Sequence, residues 1–276
     1  MTIVLFGVFI ILILLDVPVA FCLLSSSLAA LLFTGIDPIM VGLEMSRSMA
    51  SFYPFIAVPF FILAGELMAK GGLSDRIIGL TRVLVGHRKG GIAMATTLSC
   101  MFFGAISGAS SATTAAIGTV MVPAMKKSGY PKGFATALVA TSGTTGAMIP
   151  PSMVLIIYGV IANLSIERLF LAGVIPGALI GAGLMSASYL FARKNDIPTE
   201  RKPANSQIIR SLAGSFSAIM LMLIIFGGIL GGIFTATEAA AVAVVYAFVM
   251  GFIVYRNIGI RDFGCILVVS PGILRR

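Results

Sequence analysis

Long apolar runs recur along the whole of this chain, and they decide most of what it can fold into. A bilayer core of about 30 Å is crossed by roughly 20 helical residues. Val17 to Gly35, Leu169 to Ala192, Ser211 to Phe234 and Glu238 to Tyr255 meet that length. Ile56 to Ala69 is shorter and borrows residues from Ser51 onward, and Thr2 to Leu15 is short enough to thin the bilayer or pack inside a bundle. With 58% hydrophobic and 11% charged residues among 276, a soluble globular domain is excluded. The chain reads as an all-α integral membrane protein, since helices satisfy every backbone polar group within one segment. No basic region precedes the opening run, so it reads as a retained helix and not a cleaved signal peptide.

The formal charge of +9 would suit nucleic acid, but the basic residues sit in short loops between apolar runs and read as topology signals, with no nucleic-acid partner. Cys22, Cys100 and Cys265 are far apart in apolar stretches, which fits buried free thiols and neither a disulfide framework nor a metal site. The sequence lacks G-x-x-x-x-G-K-[ST], H-E-x-x-H and C-x-x-C, so an ATP motor or a metalloenzyme is not expected and the chain is not read as an enzyme.

Two interrupted segments carry the functional information. Residues 90–125 lie between the basic patches His87-Arg88-Lys89 and Lys126-Lys127, and GAISGASS breaks them near the middle. Each half is about 17 residues, too short for a clean crossing, and both flanks are basic. A re-entrant hairpin turning at Ser107-Gly108-Ala109-Ser110 meets both constraints. Residues 131–163 are broken by TSGTTGAMIPPS, where Gly146, Pro150 and Pro151 cannot continue a regular helix. Unwound backbone at membrane depth survives only where protein or a wet cavity surrounds it, so two such breaks point to one site.

Placing the basic loops on one side of the membrane fixes the topology. Residues 86–90, 126–132 and the run from Arg193 to Arg210 lie inside, with Arg256 and Arg261, and the N-terminus lies outside. Two helices joined by a tight acidic corner open the chain, with Asp16 as N-cap and Pro18 in the following first turn. A similar pair recurs from Ser211 to Tyr255 with the opposite starting side, the layout of an inverted repeat. The expected divisions are scaffold helices and arm over 1–86 and half of a transport unit over 87–195, with its last helix at 169–192. A cytoplasmic linker over 196–210 and an incomplete second repeat over 211–276 follow. A complete inverted repeat would need roughly as many residues again, so the chain reads as truncated.

At residue level, Gly and hydroxyls in GAISGASSATTAA can join exposed carbonyls around a cation, although Gly104 and Gly108 also suit a close helix-packing seam. In TSGTTGAMIPPS, unwound carbonyls offer a cation seat, and the helix start after Pro151, with Ser152 as donor, offers an anion seat. A simple proline kink is the other reading. Glu66 with Lys70 four residues on reads as an interfacial ion pair. Thr235 and Glu238 read as a capping box, His87 as a solvated loop residue, and GGILGG as a packing face.

The motifs PFFILAGELM (59–68), GAISGASSATTAAIG (104–118), IPPSMVLIIYG (149–159), AGVIPGAL (172–179) and GGIFTATEAAAVAVVYA (231–247) together resemble the large membrane subunit of tripartite ATP-independent periplasmic (TRAP) transporters. Ala236 departs from the family's usual Pro before Thr-Glu. The resemblance implies a Na⁺-driven elevator fold in the bacterial inner membrane, with no organic cofactor. It implies uptake of organic acids such as C4-dicarboxylates or sialic acid. The acids come from a periplasmic substrate-binding protein, and a small four-helix membrane subunit sits alongside. Carried onto this chain, it implies a Na⁺ site of Ser107, Ser110, Gly146, Ile149 and Pro151, with Gly108, Ser111, Thr144, Thr145 and Ser152 around the substrate. A non-transporting fragment or membrane scaffold is the alternative.

Overall fold

The computed structural model describes residues 2–35, 39–51, 53–199 and 202–258, and no strand occurs among them. Cys265, Arg201 and Arg261 lie outside the described residues. The chain divides into compact units at Tyr53 and Pro54.

The first unit holds α1 (Thr2–Leu14), α2 (Val19–Phe33) and α3 (Ile39–Ser51). No residue of α1 is buried, and its Ile3 and Leu14 are 89% and 79% exposed, tolerable in lipid but not in water. The corner between α1 and α2 differs from the expected one. Asp16 is not the N-cap; it adopts φ 58°, a left-handed turn that short polar residues accept, and it closes α1. Pro18 occupies the cap position with φ −55°, where its missing N–H costs nothing. The expected run of 17–35 thereby shortens to α2. The connection after Gly35 carries a helix the sequence reading did not anticipate, α3, whose Ile39, Met40 and Leu43 give it an exposed apolar side.

A 3-10 turn (Tyr53–Ile56) spans the boundary, and the first helix of the second unit is α4 (Ala57–Lys70). The unit continues through α5 (Leu73–Val85), α6 (Gly91–Ser107), α7 (Ser110–Lys127), α8 (Lys132–Gly143), α9 (Met153–Ile161), α10 (Ile166–Lys194), α11 (Asn205–Leu230) and α12 (Ala236–Phe248). Among the described residues, three helical stretches are long and apolar enough to cross a membrane: Ile166–Lys194, Ser206–Leu230 and Ala236–Val254, the last continuing α12 through a π-helical turn. The pair formed by α4 and α5, bent by 71°, would be a fourth if it counts as one span. The linker expected over 196–210 is shorter, because α11 starts at Asn205.

Helix α4 packs on α12 through small residues. Ala236, Ala239, Ala240, Ala243 and Ala247 form one buried stripe that lets the backbones approach, facing a side of α4 that includes Phe61, Ala64 and Met68. The Thr235–Glu238 capping box forms as expected: Thr235 N–H donates to Glu238 Oε2 at 2.8 Å, and Glu238 N–H donates to Thr235 Oγ1 at 3.3 Å. The expected Glu66–Lys70 ion pair does not form; Lys70 is exposed in the last turn of α4 while Glu66 is half-buried one turn before it.

The elbow between α4 and α5 falls at Gly71-Gly72, with Gly72 at φ 80°. It is held from distant parts of the chain. Asn257 Nδ2 donates to Gly71 O at 3.1 Å, Arg76 Nη1 donates to Gly214 O at 3.0 Å, and Ser215 Oγ donates to Arg76 O at 2.7 Å. The Arg76 guanidinium lies 3.8 Å from the centroid of the Tyr255 ring.

Three basic connections meet at one end of this unit. A Cβ at Gly90 would lie 2.9 Å from Ser188 O of α10, and the Tyr130 ring stacks on Phe191 at 6.3 Å. His87, expected in solvent, is half-buried there with Nδ1 enclosed and unpartnered among the described residues.

Candidate functional site

Helix α6 stops at Ser107 because Gly108 takes φ 63° and ψ 6°, a conformation open to glycine, and its N–H closes on Gly104 O at 2.8 Å. Ala109 is extended, at φ −125° and ψ 124°, and α7 restarts at Ser110. The hairpin tip therefore holds only Gly108 and Ala109, as the small residues there predict. In the second segment, α8 tightens into a 3-10 turn (Thr144–Ala147), and the chain stays non-helical until α9 begins at Met153. Ser152 caps α9, its Oγ accepting from Leu155 N–H at 3.3 Å and donating to Ala147 O.

The two interruptions meet. A Cβ at Gly104 would sit 2.5 Å from Gly146 Cα, and one at Gly146 would sit 2.9 Å from Thr113 Oγ1. Met153 N–H donates to Gly108 O at 3.3 Å, joining the tip to the start of α9. On the other side of the tip, a Cβ at Gly65 of α4 would meet Ser107 Cβ at 3.0 Å. The tip is thus seated between α4 and the break.

Oxygen atoms converge at this seat. Ser107 Oγ lies 3.1 Å from Thr113 Oγ1, which donates to Ala109 O at 2.7 Å. Ser107, Thr113, Thr145 and Ser152 are all buried. The carbonyls of Ile149 and Pro151 accept no hydrogen bond among the described residues, although Ile149 is only 9% exposed and Pro151 is buried. Buried carbonyls without donors are rare and call for a partner. Two further hydroxyl pairs lie along α6: Thr97 with Ser142 at 3.0 Å and Thr81 with Ser99 at 2.6 Å.

The sequence-expected residues divide into two groups. Ser107, Gly108, Gly146, Pro151 and Ser152 line the meeting place directly. Ser110 begins α7 half-buried, with its carbonyl 3.4 Å from where a Gly143 Cβ would stand. Ile149 packs its side chain toward Gly177 of α10. Thr145 turns its hydroxyl back to Ser142 O at 2.6 Å. Ser111 and Thr144 are exposed, and Thr144 Oγ1 donates to Thr141 O at 2.7 Å. Thr113 was not singled out from sequence, yet its hydroxyl lies at the centre. The available signal was its place three residues after Ser110, which returns it to the side of the first turn facing the tip.

These oxygens are neutral hydroxyls and peptide carbonyls, with no carboxylate among the contacts described. Such a set suits a hard cation of low charge more than Ca²⁺ or Mg²⁺, which draw on carboxylates.

The sequence pattern of the family described as "Tripartite ATP-independent periplasmic transporter, DctM component" matches residues 6–271. The chain is 40% identical over 270 residues to the isethionate TRAP transporter permease protein DctMQ of Oleidesulfovibrio alaskensis, covering 98% of this chain and 42% of that protein. It is 41% identical to the C4-dicarboxylate TRAP transporter large permease protein DctM of Vibrio cholerae, covering 88% and 54% respectively. To the 2,3-diketo-L-gulonate TRAP transporter large permease protein YiaN of Escherichia coli it is 36% identical, covering 91% and 59%. The chain spans about half the length of the curated relatives it matches. This similarity across nearly all of its length places the chain in the DctM family of TRAP transporter large permease components.

Proposed function

We propose that this chain forms part of the membrane permease of a Na⁺-coupled secondary transporter for organic acids in the bacterial inner membrane, with its N-terminus on the periplasmic side. The observation that carries this reading is the seat where Gly104 and Gly146 bring the hairpin tip against the unwound break, with the Pro151 carbonyl 2.7 Å from where a Gly108 Cβ would stand and the Ser107 and Thr113 hydroxyls paired at the tip. Na⁺ binds there, and the start of α9 at Ser152 faces the substrate carboxylate. Names of the relatives, which include permeases for isethionate, C4-dicarboxylate and 2,3-diketo-L-gulonate, support an acidic substrate. A periplasmic binding protein delivers the substrate and a small membrane subunit completes the assembly; the name DctMQ supports the second partner. An elevator movement of the hairpin and broken helix, organised as inverted repeats, supplies alternating access.

The test is Na⁺-dependent hydrogen exchange of the full chain in nanodiscs. Na⁺, but not K⁺, is expected to slow exchange over 104–113 and 143–153. Thr113→Val is expected to weaken the Na⁺ effect roughly tenfold by removing a ligand-positioning hydroxyl, while Thr113→Ser keeps it. Protection independent of Na⁺, or unchanged in Thr113→Val, contradicts the reading.

A further inference from the structure

Helix α8 ends at Gly143, and its 3-10 continuation carries Thr145 and Gly146 into the seat, so whatever fixes the height of α8 also fixes the break. Glycine contributes to this only by shape. A Cβ at Gly143 would lie 1.9 Å from Thr114 Oγ1 of α7, and one at Gly104 of α6 would lie 2.5 Å from Gly146 Cα. Such close approach brings the helices together without choosing one register along their length. A polar contact does choose, because a hydrogen bond weakens steeply away from its preferred distance and angle.

One such contact lies along α6, away from the tip. Thr97 Oγ1 of α6 is 3.0 Å from Ser142 Oγ of α8, and both residues are 0% exposed. Thr97 comes seven residues before Gly104 and Ser142 comes four before Gly146, so the hydroxyl pair and the glycine pair lie along the same contact between α6 and α8. From Ser142 the bonding runs onward into the break. Its carbonyl accepts from Thr145 Oγ1 at 2.6 Å, and the Thr145 carbonyl accepts from the Ile149 N–H at 2.8 Å, directly before Pro150-Pro151. The Pro151 carbonyl in turn lies 2.7 Å from where a Gly108 Cβ would stand at the hairpin tip.

A second hydroxyl pair on α6 provides the contrast. Thr81 Oγ1 of α5 is 2.6 Å from Ser99 Oγ of α6 and equally buried, but Ser99 comes two residues after Thr97 and so faces the other side of α6. Its bonding runs into α5, where Thr81 Oγ1 donates to Ile78 O at 3.0 Å. The two pairs share chemistry and burial and differ in whether they connect to the break. We infer that Thr97 and Ser142 are positioning residues for the cation seat: their bond sets the height of α8 against α6 and, acting through Thr145 and Ile149, the affinity of the seat for its cation. The inference rests on the reading of that seat as a Na⁺ site.

Hydrogen exchange of the full chain in nanodiscs, with NaCl titrated against KCl at constant ionic strength, tests the positioning role and the Na⁺ reading separately. Without Na⁺, Thr97→Val is expected to speed exchange over 143–149 roughly three- to tenfold, the range of one net hydrogen bond, and to raise the Na⁺ concentration of half-maximal protection by a similar factor. Ser142→Ala is expected to do the same, and the double variant no more than either alone, because all three lose one bond. Thr97→Ser keeps the hydroxyl and is expected to restore both readouts. Thr81→Val removes the other pair and is expected to leave both within about twofold of the wild type, even where it lowers the unfolding temperature. Equal effects of Thr97→Val and Thr81→Val, additive losses in the double variant, or unchanged Na⁺-free exchange over 143–149 overturn the positioning role. Wild-type exchange that ignores Na⁺ overturns the Na⁺ reading of the seat, and the Na⁺-free comparison still decides whether the pair positions the break.

Discussion

At Gly104 and Gly146 the absence of a side chain is what lets the two interrupted segments touch. Gly104→Ala pushes a methyl to 2.5 Å from Gly146 Cα, where only backbone could give way, and is expected to cost about 1–3 kcal/mol. Gly183→Ala meets nothing within 4 Å on α10 and is expected to be neutral or slightly stabilising, since helix propensity favours Ala by about 1 kcal/mol. Thermal unfolding in detergent compares the two. Tyr130 gives a prediction of the opposite sense. Its hydroxyl is buried without a partner among the described residues, and burial pushes the phenol from its ordinary 10.0 up to about 12. The fold favours the neutral phenol, so the stability linked to it is fully present below pH 10 and is lost as pH rises toward 12. Tyr130→Phe is expected to flatten that alkaline loss and to be neutral or stabilising by up to about 1 kcal/mol at pH 7. Stability measured against pH for both proteins checks it; a marked loss at pH 7 would reveal a partner for the hydroxyl.

At the scale of elements, the elbow between α4 and α5 depends on residues far away in sequence. Arg76→Met removes the bond to Gly214 O and the contact over Tyr255, and is expected to destabilise by about 2–3 kcal/mol in chemical unfolding, with Arg76→Lys recovering only part. Full recovery by Lys would show that charge alone matters there. The same elbow shows where sequence reading runs out. Gly, Ser and Pro report their backbone demands locally, so the hairpin tip and the break after α8 were legible from GAISGASS and TSGTTGAMIPPS. Helix α5 was hidden because Ser74, Asp75, Arg76 and Arg82 dilute its apolar side, and its partners lie on α11 and beyond α12. Asp16 was misread because its type suits both an N-cap and a left-handed turn, and only the position of Pro18 decides between them. Thr113 was missed for a related reason: a hydroxyl's worth depends on which turn of helix it lands on, and that required knowing that α7 starts at Ser110.

For the molecule as a whole, the proposed function rests on the seat within residues 54–258, built from α4, α6, α7 and the break before α9. One further consequence lies in time. Helix α4 ends at Lys70, and its packing partner α12 begins only at Ala236. A ribosome adding about 5–20 residues per second needs roughly ten to thirty seconds to make what lies between. Throughout that interval α4, 14 residues long and carrying Glu66, is a poor tenant of lipid and must wait in the insertion machinery or at the membrane surface. Nascent chains stopped at residue 230 are therefore expected to leave a cysteine at Phe61→Cys open to a water-soluble maleimide, whereas released full-length chains protect it. Equal protection in both would mean that α4 is sheltered before α12 emerges. Synthesis of α12, on this account, is what commits α4 to its place.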